Sequence, residues 1–166
     1  MHSYIMRARR LTIHAGAIAP VSDIADYYLP NDMQNMLVNS LHLGDALART
    51  FLTSAHNASV TDIAEPDHTL VLQRGHGFTV LAENLPQAVY RAVYTAWNAE
   101  VDISALTINR ALGAQREVEH LTPRQATDCI AFDDAGYSRE WPVWAAQVDA
   151  NPLYRNDLGH TEVPSP

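Results

Sequence analysis

The sequence predicts an α/β domain, a central β-sheet covered by helices, and three observations carry that prediction. Two short β-rich runs, Thr69 to Gln73 and Phe78 to Ala82, flank the glycine-bracketed segment Arg74-Gly75-His76-Gly77. A long stretch of helical periodicity begins at Leu85, and a shorter helical face, Ser40 to Leu52, precedes the strands. Strands interleaved with amphipathic helices bury a sheet against those helices. The 166 residues fit a single domain with its own core, taken as residues 1–160, and the proline-rich end at 161–166 is expected to be a flexible tail.

The elements follow in order. Leu11 to Ile18 is apolar and partly β-branched, which suits a strand or buried segment. Pro20 and Tyr27-Tyr28-Leu29-Pro30-Asn31-Asp32 mark a loop, and Asn31 or Asp32 is placed to cap a short helix through Val38. From Ser40 to Leu52, Leu43, Ala46, Leu47, Phe51 and Leu52 share a helical face that Gly44 weakens. Thr53 to Asp67 is polar and loop-like. The Gly-His-Gly segment then suits a hairpin or tight bend, because glycine tolerates positive φ. Asn84 caps the long helix with Pro86 in its first turn, and Gly113 ends it. Thr122 and Gln125 form a capping box for a further helix, and Tyr137, Trp141, Trp144 and Tyr154 make up an aromatic end region.

Composition excludes several functions. A net charge of -8 argues against nucleic-acid binding, which needs a basic face. No apolar run reaches the length of a membrane span, and Met1 to Arg10 lacks the apolar stretch of a signal peptide, so a cytoplasmic protein is expected. A single cysteine, Cys129, removes intrachain disulfides and Cys-based zinc sites; its setting suits a buried structural thiol. The chain has no lysine, so Schiff-base chemistry is unavailable within it. Carbonyl activation must then use a metal or hydrogen bonds. Nucleotide-binding glycine loops and a Gly-x-Ser-x-Gly elbow are also missing.

Among eight histidines there is no His-x-His and no His-Glu-x-x-His, so a metal site would have to assemble from distant residues. His76 is the best single candidate, because its flanking glycines leave the imidazole uncrowded; the alternative is a turn histidine that hydrogen-bonds its own loop. His14, between Ile13 and Ala15, suits a satisfied core histidine or a ligand. His42, His56, His68, His120 and His160 read as surface residues. Asp23, Asp26, Asp32 and Glu83 are general-base candidates whose alternative roles are caps and solvated charges.

The segment Leu70-Val71-Leu72-Gln73-Arg74-Gly75-His76-Gly77-Phe78-Thr79-Val80, with the helix after it and Asp45-Ala46-Leu47-Ala48 before it, resembles the class II aldolase/adducin family. Pro30-Asn31-Asp32-Met33-Gln34-Asn35-Met36-Leu37-Val38-Asn39 and Asn151-Pro152-Leu153-Tyr154 resemble its fungal subset, and the likeness runs roughly from Leu11 to Leu158. In metal-binding members of that family three histidines hold a divalent ion, one of them from the His-Gly motif, where His76 falls. The resemblance therefore implies a zinc-like metal held by His76, with His14 and His2 as partners. The family's amino-terminal part, its His-x-His pair and its phosphate-binding segment have no counterpart here, which argues against a phosphosugar aldolase.

The resemblance implies a small-molecule enzyme acting on a carbonyl substrate by aldol cleavage, isomerisation, decarboxylation or cyclisation, in small-molecule biosynthesis. Catalytic roles fall to His76, Tyr4 and Asp23, and substrate-binding roles to Arg74, Tyr28, Trp141 and Trp144. A homo-oligomer, possibly a tetramer, is the family's assembly. Two alternatives stay open: a metal-free cyclase or isomerase using His76 as acid or base, and a non-catalytic adducin-like interaction module.

Overall fold

The computed structural model describes residues 19–52, 66–113, 121–133 and 135–155. Within them the order is β1 (Val21–Ser22), a 3-10 helix (Ile24–Tyr27), α1 (Leu41–Thr50), β2 (Leu70–Gln73), β3 (Gly77–Val80), α2 (Leu85–Ala111), α3 (Pro123–Asp133) and α4 (Tyr137–Ala150). The predicted segment Leu11 to Ile18 and most of the loop after Leu52 lie outside the described residues.

The sheet is small and mixed, with β2 in the middle. Val21 and Ser22 of β1 pair in parallel with Leu72 and Gln73. On the other edge β3 runs antiparallel, from Leu70 opposite Val80 to Gln73 opposite Gly77. The hairpin and the α/β class are as the sequence predicts. A central strand flanked on both edges and covered on both faces needs a continuous apolar run, and Leu70, Val71 and Leu72 are all buried. Leu70 and Leu72 pack with Ala19, and Val21, Phe78, Val80 and Ala99 of α2 close around them. Leu43, Ala46 and Phe51 are the buried side chains at α1.

Local chemistry sets the helix ends. Asn84 Oδ1 accepts the Gln87 N–H at 2.9 Å, and Gln87 Oε1 accepts the Glu83 N–H at 3.0 Å. Two orphan donors at the start of α2 are thereby satisfied. Gly113, at φ +64, follows the last turn of that helix. The Thr122 N–H donates to Gln125 Oε1 at 2.9 Å and the Gln125 N–H to Thr122 Oγ1 at 3.3 Å, the capping box expected for α3. Cys129 lies within α3 and is half-buried rather than fully buried.

One sequence expectation is corrected and one region gains an element. No helix forms between Asp32 and Val38. The Asp32 carboxylate turns back to the Leu29 N–H instead of capping forward, and Met36 takes a left-handed φ of 66, which a continuing helix does not permit. The aromatic end region, to which the sequence reading assigns no element, forms the 14-residue helix α4 despite Pro142 in its interior. Packing explains it. The Trp144 ring lies 6.1 Å from Tyr90 of α2, which continues an aromatic series through Tyr94, at 4.4 Å from Tyr90, to Trp97, at 5.1 Å from Tyr94. Among the described residues no helix is long and apolar enough to cross a membrane.

Because Leu70 is 1% exposed on a strand flanked at both edges, its truncation leaves a cavity that the sheet cannot collapse to fill. Leu70→Ala is expected to destabilise the protein by about 2–5 kcal/mol, read from the urea midpoint at constant slope.

Candidate functional site

The parallel pairing of β1 and β2 brings the carboxyl ends of two strands together, the place where open α/β sheets present ligand-binding residues. Ser22 and Asp23 end one strand, and Gln73 and Arg74 end the other; the Arg74 N–H donates to the Ser22 carbonyl at 3.0 Å. The chain then reverses through Gly75 and His76, whose N–H donates to the Gln73 carbonyl at 3.2 Å. Gly75 adopts φ +81, a conformation that glycine takes without steric cost.

Asp23 has two jobs. One carboxylate oxygen accepts the Ala25 N–H at 3.1 Å and caps the 3-10 helix, while the other forms an ion pair with Arg74 Nε. The bond to Asp23 raises the Arg74 pKa against the opposing effect of burial, and the charges of Asp23 and Asp26 add to it. The guanidinium is thus permanently charged and fixed in direction. Next to it, His76 stands exposed at the rim.

These groups edge a shallow, open crevice whose enclosed volume is about 10 Å³. Its polar rim is Ser22, Gln73, Arg74 and His76. Its apolar wall is Ile24, Tyr27, Val38, Leu43, Ala46 and Leu47, supplied by the 3-10 helix, the following loop and α1. Of the candidates predicted from sequence, His76 and Arg74 line the crevice together, and Asp23 holds Arg74 from behind. Tyr28 adjoins the wall, but its hydroxyl accepts the Met36 N–H at 2.7 Å and so fixes the loop. Trp144 packs on Tyr90 between α2 and α4, and Trp141 is half-buried on α4; neither lines the crevice. Tyr4, His14 and His2 lie outside the described residues.

The loop over the wall is tied at several points. Asp32 Oδ2 accepts the Leu29 N–H at 2.7 Å and lies 2.8 Å from His42 Nε2; His42 Nδ1 lies 3.1 Å from Ser40 Oγ. The Leu29 N–H, reinforced by His42, holds the Asp32 carboxyl below its ordinary value despite partial burial. Met36 fills the space beside Gly75, where a Cβ would come within 3.3 Å of its terminal methyl. His42 was expected at the surface. It is half-buried and bonded through both ring nitrogens, because the loop folds Asp32 back onto the start of α1.

A metal bound here would need His76 and partners from elsewhere. The His76 ring is exposed and uncrowded, which fits one ligand position. Among the described residues no three His, Cys, Asp or Glu side chains converge on a common point.

No protein-family model and no solved structure matches the chain. A curated relative, Decarboxylase tropJ of Talaromyces stipitatus, is 30% identical over 145 residues, covering 85% of this chain and 52% of its own length. The chain therefore spans about half the length of that relative.

The Asp32 pair gives a pH signature. Its folded pKa lies below the ordinary 3.8, so the pair's stabilisation is fully present above that value and is lost as pH falls through the lower folded value. Asp32→Asn is expected to lower Tm at neutral pH, and the difference from wild type is expected to shrink to nothing in the acid range below 3.8. A Tm difference that stays constant down to acid pH would contradict the assignment.

Proposed function

We propose that the chain is a small-molecule biosynthetic enzyme of the class II aldolase/adducin-like type, and that its reaction is decarboxylation of a carbonyl-bearing carboxylic acid. The observation that carries the reading is the Arg74–His76 pair on the rim of an apolar crevice, in a chain whose similarity to a protein named a decarboxylase extends over 85% of its length.

The chemistry follows from charge. Loss of CO2 leaves an electron pair that must flow into a neighbouring carbonyl, so negative charge moves from the carboxylate to an enolate oxygen. A cation held tightly on the carboxylate stabilises the starting acid and slows the reaction; a cation at the enolate oxygen stabilises the transition state. Arg74, clamped by Asp23, is assigned to the enolate oxygen. The carboxylate then faces Val38, Leu43 and Leu47, which stabilise neutral CO2 better than a charged group. His76, exposed beside Arg74, is assigned to deliver the proton that quenches the carbanion.

His76, with His14 and His2, would hold a divalent ion in the manner that the family resemblance implies. Such an ion would supply Lewis-acid polarisation of the same carbonyl. A metal-free variant of the reading assigns that polarisation to Arg74 alone. Cytoplasmic location and homo-oligomeric assembly belong to the same proposal.

The test is CO2 release from a panel of β-keto and hydroxyaryl carboxylic acids, with metal content measured alongside. Arg74→Met is expected to lower turnover by roughly 10²–10³-fold and His76→Ala by roughly 10²–10⁴-fold. A divalent ion near one per chain, lost in His76→Ala, would establish the metal form. Activity that survives chelation and disappears in His76→Ala would establish the metal-free form. Turnover unchanged in both variants would overturn the site.

A further inference from the structure

Asp32, His42 and Ser40 form a second set of chemistry-bearing side chains that the crevice reading does not use. Asp32 Oδ2 lies 2.8 Å from one ring nitrogen of His42, and Ser40 Oγ lies 3.1 Å from the other. The Leu29 N–H and His42 keep the carboxyl ionised, and an ionised carboxylate only accepts hydrogen bonds. His42 Nε2 must then carry the proton toward Asp32. In the neutral imidazole this leaves Nδ1 as an acceptor, to which the Ser40 hydroxyl donates. A hydroxyl donating to a base that a carboxylate orients is the connectivity of an activated serine nucleophile, whatever the order in sequence.

Two further observations favour a reactive role over a capping one. Ser40 occupies the N-cap of α1, yet its side chain makes no capping hydrogen bond. A serine at that position ordinarily caps the first turn; here the hydroxyl is diverted to His42. Large apolar side chains are also exposed on the same stretch of chain. Leu41 is 90% exposed between Ser40 and His42, and Leu29, Met33 and Leu37 are exposed as well. Exposed apolar residues next to the polar set in sequence offer contacts for an apolar acyl chain.

We propose that Ser40 is an acyl-accepting nucleophile for esters or thioesters of apolar carboxylic acids, with His42 as general base and Asp32 as the residue that orients it. Ser40 Oγ forms a bond to the acyl carbon while its proton passes to His42 Nδ1 and the carbonyl electron pair moves onto oxygen. Collapse breaks the bond to the leaving alcohol or thiol, which takes the proton from Nδ1. Water then adds to the acyl-serine by the same route, releasing the carboxylic acid and regenerating the serine hydroxyl. This activity is independent of the decarboxylation reading and does not require His76.

The test uses the full chain with p-nitrophenyl butyrate. A burst near one p-nitrophenolate per chain is expected, with the butyryl group mapped to Ser40 by peptide mass analysis. Ser40→Ala should abolish the burst, and His42→Gln should slow it by roughly 10²-fold while far-UV circular dichroism stays that of wild type. The mapping on wild type needs no variant to fold. Folded wild-type protein that carries no acyl group on Ser40 would overturn the proposal, as would a burst that Ser40→Ala leaves intact.

Discussion

Strand β2 is four residues long and hydrogen-bonded along both edges, and the placement of the crevice depends on that double pairing. Its parallel edge fixes Asp23 beside Arg74, since the register sets Ser22 opposite Gln73 and each strand continues by one residue. Its antiparallel edge sets Gln73 opposite Gly77, so the hairpin turn must project Arg74 and His76 past the sheet. A shift of one residue in either register would turn the apolar side chains of β2 to the opposite faces and separate the two strand ends. The same buried leucines that anchor the core therefore hold the polar rim in place.

Around that sheet, several polar side chains bond to the backbone. Asp23 caps the 3-10 helix with one oxygen and holds Arg74 with the other. Tyr28 fixes Met36, and Asp32 fixes Leu29 and meets His42. Arg91, nearly buried on α2, donates to the Leu81 carbonyl at the end of β3 and so ties the long helix to the hairpin. A loop with this many internal ties costs less entropy to order when a ligand binds than an untied loop of the same length.

How much of this was legible in sequence follows from how local each signal is. Gly75 and Gly77, Asn84 with Gln87, and Thr122 with Gln125 act within a few residues, and the hairpin and two helix starts they predict are present. His76 and Asp23 stand out in sequence because a turn and a loop after a proline leave side chains free of regular packing, Arg74 stands out only through the family resemblance, and the structure brings Asp23 and Arg74 together. Strand β1 is two residues long and exists only through its partner, Val21 pairing with Leu72, so no short window of sequence contains it. Helix α4 carries an internal proline against propensity and is packed on α2, with Trp144 against Tyr90. The apolar wall from Tyr27 to Leu47 and the bonding of His42 both depend on how the 28–38 loop folds back. Met36 set that course by adopting a left-handed backbone conformation that its residue type does not advertise.

Charge limits what the crevice can hold. The chain carries a net charge of -8, and the one arginine lining the crevice already faces Asp23 and Asp26. A doubly charged phosphate brought to Arg74 would have to compete with two resident carboxylates, in a field that is negative overall. A neutral carbonyl that becomes an enolate meets no such competition at the start and gains the guanidinium only as charge develops. Under the proposed decarboxylation, the Asp23–Arg74 pair would thus disfavour permanently anionic groups at that position and favour groups that acquire charge during reaction. In that proposal the binding energy of the ground state would come from the apolar wall, to which Ile24, Leu43 and Leu47 contribute.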